Sequence, residues 1–260
     1  MFHLRPHQQT VIDTLQENRK GQIIVPTGGG KTMCMIKDAQ RQFNSCDWDV
    51  VLSDPDRKTI VIVAPRILLA HQLCEEFDEY ILVNPMLQYQ ILHVHSGETH
   101  HYSTTKSDAI AQWTKDNYRY NKLIFTTYHS LHRIQEADID VDTIYFDEAH
   151  NSIQKNFIEA VEYQSMYANR CYFFTATPKH SKTPFKVGMN DEDIYGKVLV
   201  NVPAPKLVKD GHILPPKVII KKIDVVDDSR FGYEKDCDHL ISTIDDIDVN
   251  KILILSLIHI

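Results

Sequence analysis

The stretch Val25-Pro26-Thr27-Gly28-Gly29-Gly30-Lys31-Thr32 decides the fold of this chain. A short apolar run at residues 22–25 leads into it, and residues 33–43 after it have helical character. A strand that ends in a glycine-rich turn and restarts as a helix forms a phosphate cradle. Glycines let the backbone approach the anion, and the N–H groups of the helix N-terminus face it. The stretch therefore predicts a nucleotide site, with an ordinary glycine turn as the alternative.

Each residue of this loop has an expected role in binding ATP and Mg²⁺. Thr27, Gly28, Gly29 and Gly30 would wrap the phosphates. Lys31 would reach the β- and γ-phosphates, and the Thr32 hydroxyl would hold Mg²⁺. The general motif has glycine where this chain has Val25, so the general pattern is matched imperfectly.

Composition limits the classes of protein that the chain can belong to. Its 260 residues suffice for one large domain or one and a half, and 43% hydrophobic and 24% charged residues are typical of a soluble globular protein. With 28 basic and 35 acidic side chains the net charge is −7, which argues against binding nucleic acid through overall positive charge. A few local phosphate contacts remain compatible with that charge.

The cysteines and the apolar runs indicate a compartment. Five cysteines are scattered without CxxC spacing, which favours reduced thiols in a cytoplasmic protein. We find neither a signal peptide nor an apolar run that could span a bilayer, so no membrane partner is predicted.

Apolar β-branched and aromatic runs predict six strands. They lie at residues 22–25, 59–64, 88–94, 122–126, 143–146 and 171–174. Helical or loop segments alternate with them, which predicts a doubly wound, mostly parallel α/β sheet. Every polar motif follows directly after a strand, and ligands bind at this carboxyl edge in open α/β sheets.

Asp147 and Glu148 end the apolar run at residues 143–146. Adjacent carboxylates at the end of a buried strand repel each other unless a cation lies beside them. We therefore expect Asp147 to hold Mg²⁺ and Glu148 to orient and deprotonate the water that attacks the γ-phosphate. A strand-ending turn with exposed acids is the alternative.

Four motifs in this order resemble the first RecA-like domain of superfamily 2 helicases and translocases. They are Gln8, the loop at residues 26–32, Asp147-Glu148-Ala149-His150 and Thr175-Ala176-Thr177-Pro178. The resemblance covers about residues 1–200. The opening Leu4-Arg5-Pro6-His7-Gln8 and the segment Thr126-Thr127-Tyr128-His129-Ser130-Leu131 are most similar to the branch of restriction-enzyme motors and phage recombination helicases.

The resemblance implies further roles. Gln8 would read adenine, although a polar N-terminus before a helix is the alternative. His150, Thr175 and Thr177 would couple the state of the nucleotide to the grip on nucleic acid, with DNA favoured over RNA. The sugar-phosphate backbone would be contacted by Arg66, Ser96, Gly97, Thr127 and Tyr128. Packing at a strand end is the alternative for Tyr128, and a surface salt bridge is the alternative for Arg66.

The resemblance also predicts the domain organisation. We expect the ATP-binding helicase domain at residues 1–200, a linker at 201–216 and an incomplete start of a second RecA-like domain at 217–260. The arginine finger of that second domain is missing from the sequence pattern, so we expect an N-terminal fragment that hydrolyses ATP very slowly. A phage-encoded protein that acts in the host cytoplasm is equally compatible.

Three other functions remain open from the sequence. The chain could be the motor subunit of a restriction system, or a nucleotide-gated clamp that grips nucleic acid without moving. A small-molecule kinase is the weakest alternative, because it has no use for the Asp-Glu-Ala-His and Thr-Ala-Thr-Pro motifs.

Fourteen histidines raise the question of a metal site. His93 and His95 share one face of a predicted strand, with His100 and His101 in a loop nearby. Because they have neither cysteine partners nor a recognised spacing, the sequence does not predict a zinc site.

Overall fold

A computed structural model describes residues 4–44, 57–81, 88–183 and 186–215 of the chain. The predicted start of a second domain at residues 217–260 lies outside them, so the domain boundaries stay a prediction. Among the described residues, no helix combines the length and apolar character needed to cross a membrane.

Eight strands and eight α-helices alternate along the described chain. In chain order they are α1 (Pro6–Glu17), β1 (Lys20–Ile24), α2 (Lys31–Asn44), β2 (Thr59–Ala64), α3 (Ile67–Ile81), β3 (Tyr89–Val94), β4 (Tyr102–Ser103), α4 (Ser107–Asp116), β5 (Asn121–Thr127), α5 (Leu131–Glu136), β6 (Thr143–Phe146), α6 (Ile158–Tyr167), β7 (Arg170–Thr175), α7 (Glu192–Tyr195), β8 (Val198–Asn201) and α8 (Ala204–Lys209). A short 3-10 helix, Ala149–Asn151, follows β6.

All eight strands form one sheet in the order β4-β3-β5-β2-β6-β7-β1-β8, and every pairing in it is parallel. This confirms the predicted doubly wound α/β fold. Parallel strands need crossover connections, which the intervening helices supply.

The central strand β2 shows why the sheet is covered on both faces. All six of its residues are buried. Ile60 and Ile62 pack with residues of α1, α2 and α3, whereas Val61 and Val63 pack with residues of α4, α5 and α6 on the other face. Successive side chains of a strand point to opposite faces, so a continuous apolar run has two helical layers to bury against.

The strand order separates the motifs into two groups along the carboxyl edge. The phosphate loop, the acidic pair and the Thr-Ala-Thr-Pro motif follow β1, β6 and β7, which are neighbours in the sheet. The segments that begin at Pro65, His95 and Tyr128 follow β2, β3 and β5, which form a second neighbouring set. Two adjoining sites are therefore built on one edge.

Candidate nucleotide site and adjoining groove

The carbonyl groups of the phosphate loop are engaged by side chains from the start of α1. The hydrogen bonds run from Arg5 Nη1 to the Gly28 carbonyl (3.2 Å), from His7 Nε2 to that of Gly29 (2.8 Å) and from Gln8 Nε2 to that of Gly30 (3.4 Å). Carbonyl oxygens repel an anion and N–H groups attract it. A loop whose carbonyls are satisfied on one side suits a phosphate, so the residues present fit the triphosphate of ATP.

The oxygen and the nitrogen of the Gln8 side chain each form one hydrogen bond in this arrangement. Its side-chain oxygen accepts a hydrogen bond from the Arg5 N–H at 2.9 Å, while its amide donates to Gly30, and the residue is 3% exposed. The Gln8 amide retains one further N–H and one further lone pair for another hydrogen bond. The structure shows Gln8 holding the loop, and its role in reading adenine stays a prediction.

Lys31 and Glu148 meet at the carboxyl edge of the sheet. Lys31 Nζ lies 3.2 Å from Glu148 Oε1, although 116 positions separate the two residues in sequence, and Lys31 is only 9% exposed. Thr32 follows in the first turn of α2. The predicted convergence of the phosphate loop with the acidic pair is therefore present in the geometry.

The acidic pair has the electrostatics of a cation site. Burial, together with the neighbouring Glu148, raises the pKa of Asp147 to about 6, whereas Lys31 acts in the opposite direction. A carboxyl group held in such surroundings gains from a nearby cation. The Asp147 carboxylate and the Thr32 hydroxyl are oxygen groups of the kind that Mg²⁺ prefers, so these two residues could hold the ion.

Glu148 has a strained backbone. Its φ of 44° and ψ of 52° lie in the left-handed region, which a non-glycine residue rarely adopts. Such strain costs on the order of 1–3 kcal/mol and persists only where the surrounding structure enforces it, commonly at functional sites. Here the strained turn directs the Glu148 carboxylate to Lys31 on one side and to His150 on the other.

The predicted coupling residues form a chain of contacts that starts at Glu148. His150 Nδ1 lies 3.4 Å from Glu148 Oε2 and 3.1 Å from Thr175 Oγ1, which in turn accepts a hydrogen bond from the Thr177 N–H at 3.2 Å. Burial lowers the pKa of His150, so its ring is neutral at pH 7. Thr177 takes part in this chain through its main-chain N–H.

Three of the five predicted nucleic-acid residues surround one cavity. This groove has a volume of about 550 Å³ and combines Arg66, Ser96 and Thr127 from three different strand ends. Its remaining lining residues are Pro65, Ile67, Leu68, His95, His129 and Ser130. Leu68 is 78% exposed, and the sequence did not reveal this because a leucine within an apolar helical run looks like part of the core.

The other two predicted contacts do not present a free group to the groove. Tyr128 is 1% exposed, its ring stacks near Phe146 and Phe157, and its hydroxyl donates to the Asp147 carbonyl at 2.9 Å. Packing at a strand end, the alternative interpretation, therefore describes Tyr128. The Gly97 N–H donates to His95 Nδ1 at 3.2 Å, so it is also engaged.

A parallel sheet with a phosphate loop after β1 and a carboxylate pair after β6 defines a RecA-like nucleotide-binding domain. Its motifs, in this order, are those of the first RecA-like domain of superfamily 2 helicases. The chain belongs to the family described as "Type III restriction enzyme, res subunit", which matches residues 1–180. No curated protein sequence matches the chain.

Solved structures of restriction enzymes and helicases share the fold. A nuclease-deletion mutant of the Type ISP restriction-modification enzyme LlaGI, in complex with a DNA substrate mimic, is 24% identical with a TM-score of 0.66, covering 81% of this chain and 21% of that one. The ATP-dependent Type ISP enzyme LlaBIII bound to DNA is 22% identical with a TM-score of 0.63, covering 81% and 16%. The Hef helicase domain of Pyrococcus furiosus is 18% identical with a TM-score of 0.53, covering 75% and 37%. This chain thus spans only about a fifth of the LlaGI chain.

Proposed function

We propose that the chain is the ATP-binding half of a motor that couples ATP hydrolysis to movement along DNA. The observation that supports this proposal best is the 3.2 Å distance between Lys31 Nζ and Glu148 Oε1. A phosphoryl-transfer site needs a lysine that binds the phosphates and a base that positions the attacking water, and the two residues lie side by side here. The family assignment and the DNA-bound restriction enzymes that share the fold support DNA as the partner.

Different side chains of the site would bind the triphosphate, activate the attacking water and hold Mg²⁺. Lys31 and the loop N–H groups would bind the triphosphate, and phosphate binding would draw the Lys31 ammonium group away from Glu148. The freed Glu148 carboxylate would then orient a water molecule and accept its proton. Thr32 and Asp147 would hold Mg²⁺, which when bound neutralises charge on the phosphate oxygens.

The contacts that start at Glu148 provide the coupling. Loss of the γ-phosphate would return Lys31 to Glu148 and shift the hydrogen bonds of His150 and Thr175. The adjoining groove would hold the sugar-phosphate backbone through Arg66, Ser96 and Thr127. Few contacts of this kind position a strand without reading its sequence, which is how an acidic chain can bind a polyanion.

The family assignment favours the motor subunit of a restriction system as the biological setting. We further propose that residues 1–200 act with a second RecA-like domain that supplies an arginine finger. Such a finger accelerates phosphoryl transfer by about 10³–10⁵. We therefore expect the 260-residue chain to bind ATP–Mg²⁺ and to hydrolyse it slowly.

Two substitutions test the proposal in the 260-residue chain. Lys31→Ala should weaken ATP–Mg²⁺ binding, measured by calorimetry, by at least about tenfold, since it removes a charge-assisted contact worth about 1.5–3 kcal/mol. Glu148→Gln should retain binding and lower single-turnover hydrolysis by about 10²–10⁴, the usual worth of a general base.

Glu162→Gln is the matched control, because this exposed glutamate on α6 should change neither quantity. Unchanged ATP affinity in Lys31→Ala would refute the nucleotide site. If Glu148→Gln hydrolyses ATP like the unsubstituted chain, the motor mechanism is wrong and the nucleotide-gated clamp is favoured.

A further inference from the structure

Three histidines form a second cluster of ligating side chains outside the nucleotide site. His71 lies on α3, His93 on β3, and His95 directly after β3. One ring nitrogen of each lies within 4.8 Å of one from each of the others, and His93 and His95 are each 1% exposed. This set is called the histidine cluster below.

Two nitrogens of the histidine cluster are buried without a hydrogen-bond partner among the described residues. They are His71 Nε2 and His93 Nε2. An unsatisfied buried polar atom is costly, so natural proteins rarely keep one without a use for it. Both residues line a cavity of about 450 Å³. The same cavity is also lined by Cys74, Glu75, Glu98, Thr99, His100 and His101.

Imidazole is the commonest protein ligand of transition-metal ions, and it binds through the lone pair of one ring nitrogen. The three side chains of the histidine cluster each bring such a nitrogen to one place.

We propose that the histidine cluster binds a divalent transition-metal ion of the Zn²⁺ class. Imidazole nitrogen suits Zn²⁺, Ni²⁺, Co²⁺ and Cu²⁺, whereas Mg²⁺ prefers oxygen. Three protein nitrogens leave a fourth position open, and the cavity has room for water or for a rim side chain such as His101 or Glu98 to occupy it. The site is separate from the Asp147 and Thr32 ligands of the nucleotide site.

Metal binding would change a hydrogen bond at the rim of the groove. The Gly97 N–H donates to His95 Nδ1, so the proton of neutral His95 sits on Nε2, 2.9 Å from His93 Nδ1. A metal bond to His95 Nε2 requires that proton to move to Nδ1, where it would face the Gly97 N–H. The Gly97 peptide then has to turn and its N–H is released beside Ser96. A contact between this N–H and the DNA backbone rests on the proposed function. The metal site itself is independent of that function.

The metal site is tested by titrating the metal-free 260-residue chain with Zn²⁺ against a chromophoric chelator. We expect binding of a single ion, a rise in the melting temperature with Zn²⁺, and visible absorption bands when Co²⁺ replaces it. Millimolar Mg²⁺ should not compete. His71→Gln should weaken Zn²⁺ binding by at least about tenfold, since even the outer partners of metal ligands are worth 10–100-fold.

His132→Gln is the matched control, because this histidine is exposed on α5 and should leave Zn²⁺ affinity unchanged. Circular dichroism of each variant checks that it folds, and His71 is only half-buried on a helix surface. Absence of Zn²⁺ binding, or equal losses in His71→Gln and His132→Gln, would overturn the proposal. Lys31→Ala should bind Zn²⁺ normally, so failure of the ATP site and failure of the metal site are distinguishable.

Discussion

Gly30→Ala is the substitution that most directly tests how the phosphate loop is held. Gly30 has φ = +81°, and a Cβ built on it would lie 2.2 Å from Gln8 Nε2. The left-handed conformation costs an alanine about 1–2 kcal/mol. In addition, the displaced Gln8 side chain loses its bonds to Arg5 and Gly30, worth about 0.5–1.5 kcal/mol each. We therefore expect the free energy of unfolding to fall by about 2–5 kcal/mol.

Gly211→Ala separates the two contributions. Gly211 has φ = +72°, but a Cβ there meets no atom of the described part of the chain within 4 Å, so only the conformational cost of about 1–2 kcal/mol applies. Urea unfolding should show that Gly30→Ala is the more destabilising substitution. In a Gln8→Ala background the clash is gone, and Gly30→Ala should cost no more than Gly211→Ala does. Equal effects of Gly30→Ala and Gly211→Ala in the unsubstituted chain would refute the reasoning.

Two further predictions concern stability and the groove. Asp38 is 1% exposed and pairs with Arg170 at 3.3 Å, so Asp38→Ala leaves a half-buried guanidinium unpaired and should lower the free energy of unfolding by about 3–5 kcal/mol. The control Asp13→Ala, at an exposed ion pair, should cost less than about 1 kcal/mol in the same urea titration. Tyr128→Phe removes the bond to the Asp147 carbonyl and should cost about 0.5–1.5 kcal/mol while leaving DNA affinity, measured by fluorescence anisotropy, unchanged. A large loss of DNA affinity in Tyr128→Phe would instead support the direct contact that the sequence suggested.

The strands and the phosphate loop could be predicted from the sequence because each depends on the residue types within one short segment. The six predicted strands all occur, since a β-branched run such as Thr59–Ala64 needs burial on both faces whatever surrounds it. Strand β4, which the apolar pattern does not predict, is only two residues long and lies at an edge of the sheet.

The pattern of apolar and polar residues in the sequence does not predict contacts between elements that are distant along the chain. Packing brings the Gly97 N–H to His95 and buries Tyr128 against Phe146 and Phe157. It also brings Arg5 and His7 to the carbonyl groups of the phosphate loop. A residue type at a strand end is compatible with both a ligand contact and an internal one. Only the neighbours brought by the fold decide between them.

The amino-acid sequence by itself determined the class of fold, the phosphate loop and the acidic pair, because periodicity, glycine and carboxylate chemistry act over a few residues. The tertiary structure decided which motifs share a site, because the strand order sets adjacency along the carboxyl edge. It joined Lys31 to Glu148, and it added His71 to His93 and His95 from a different element. Such pairings depend on how helices pack on the sheet, a property of the whole chain.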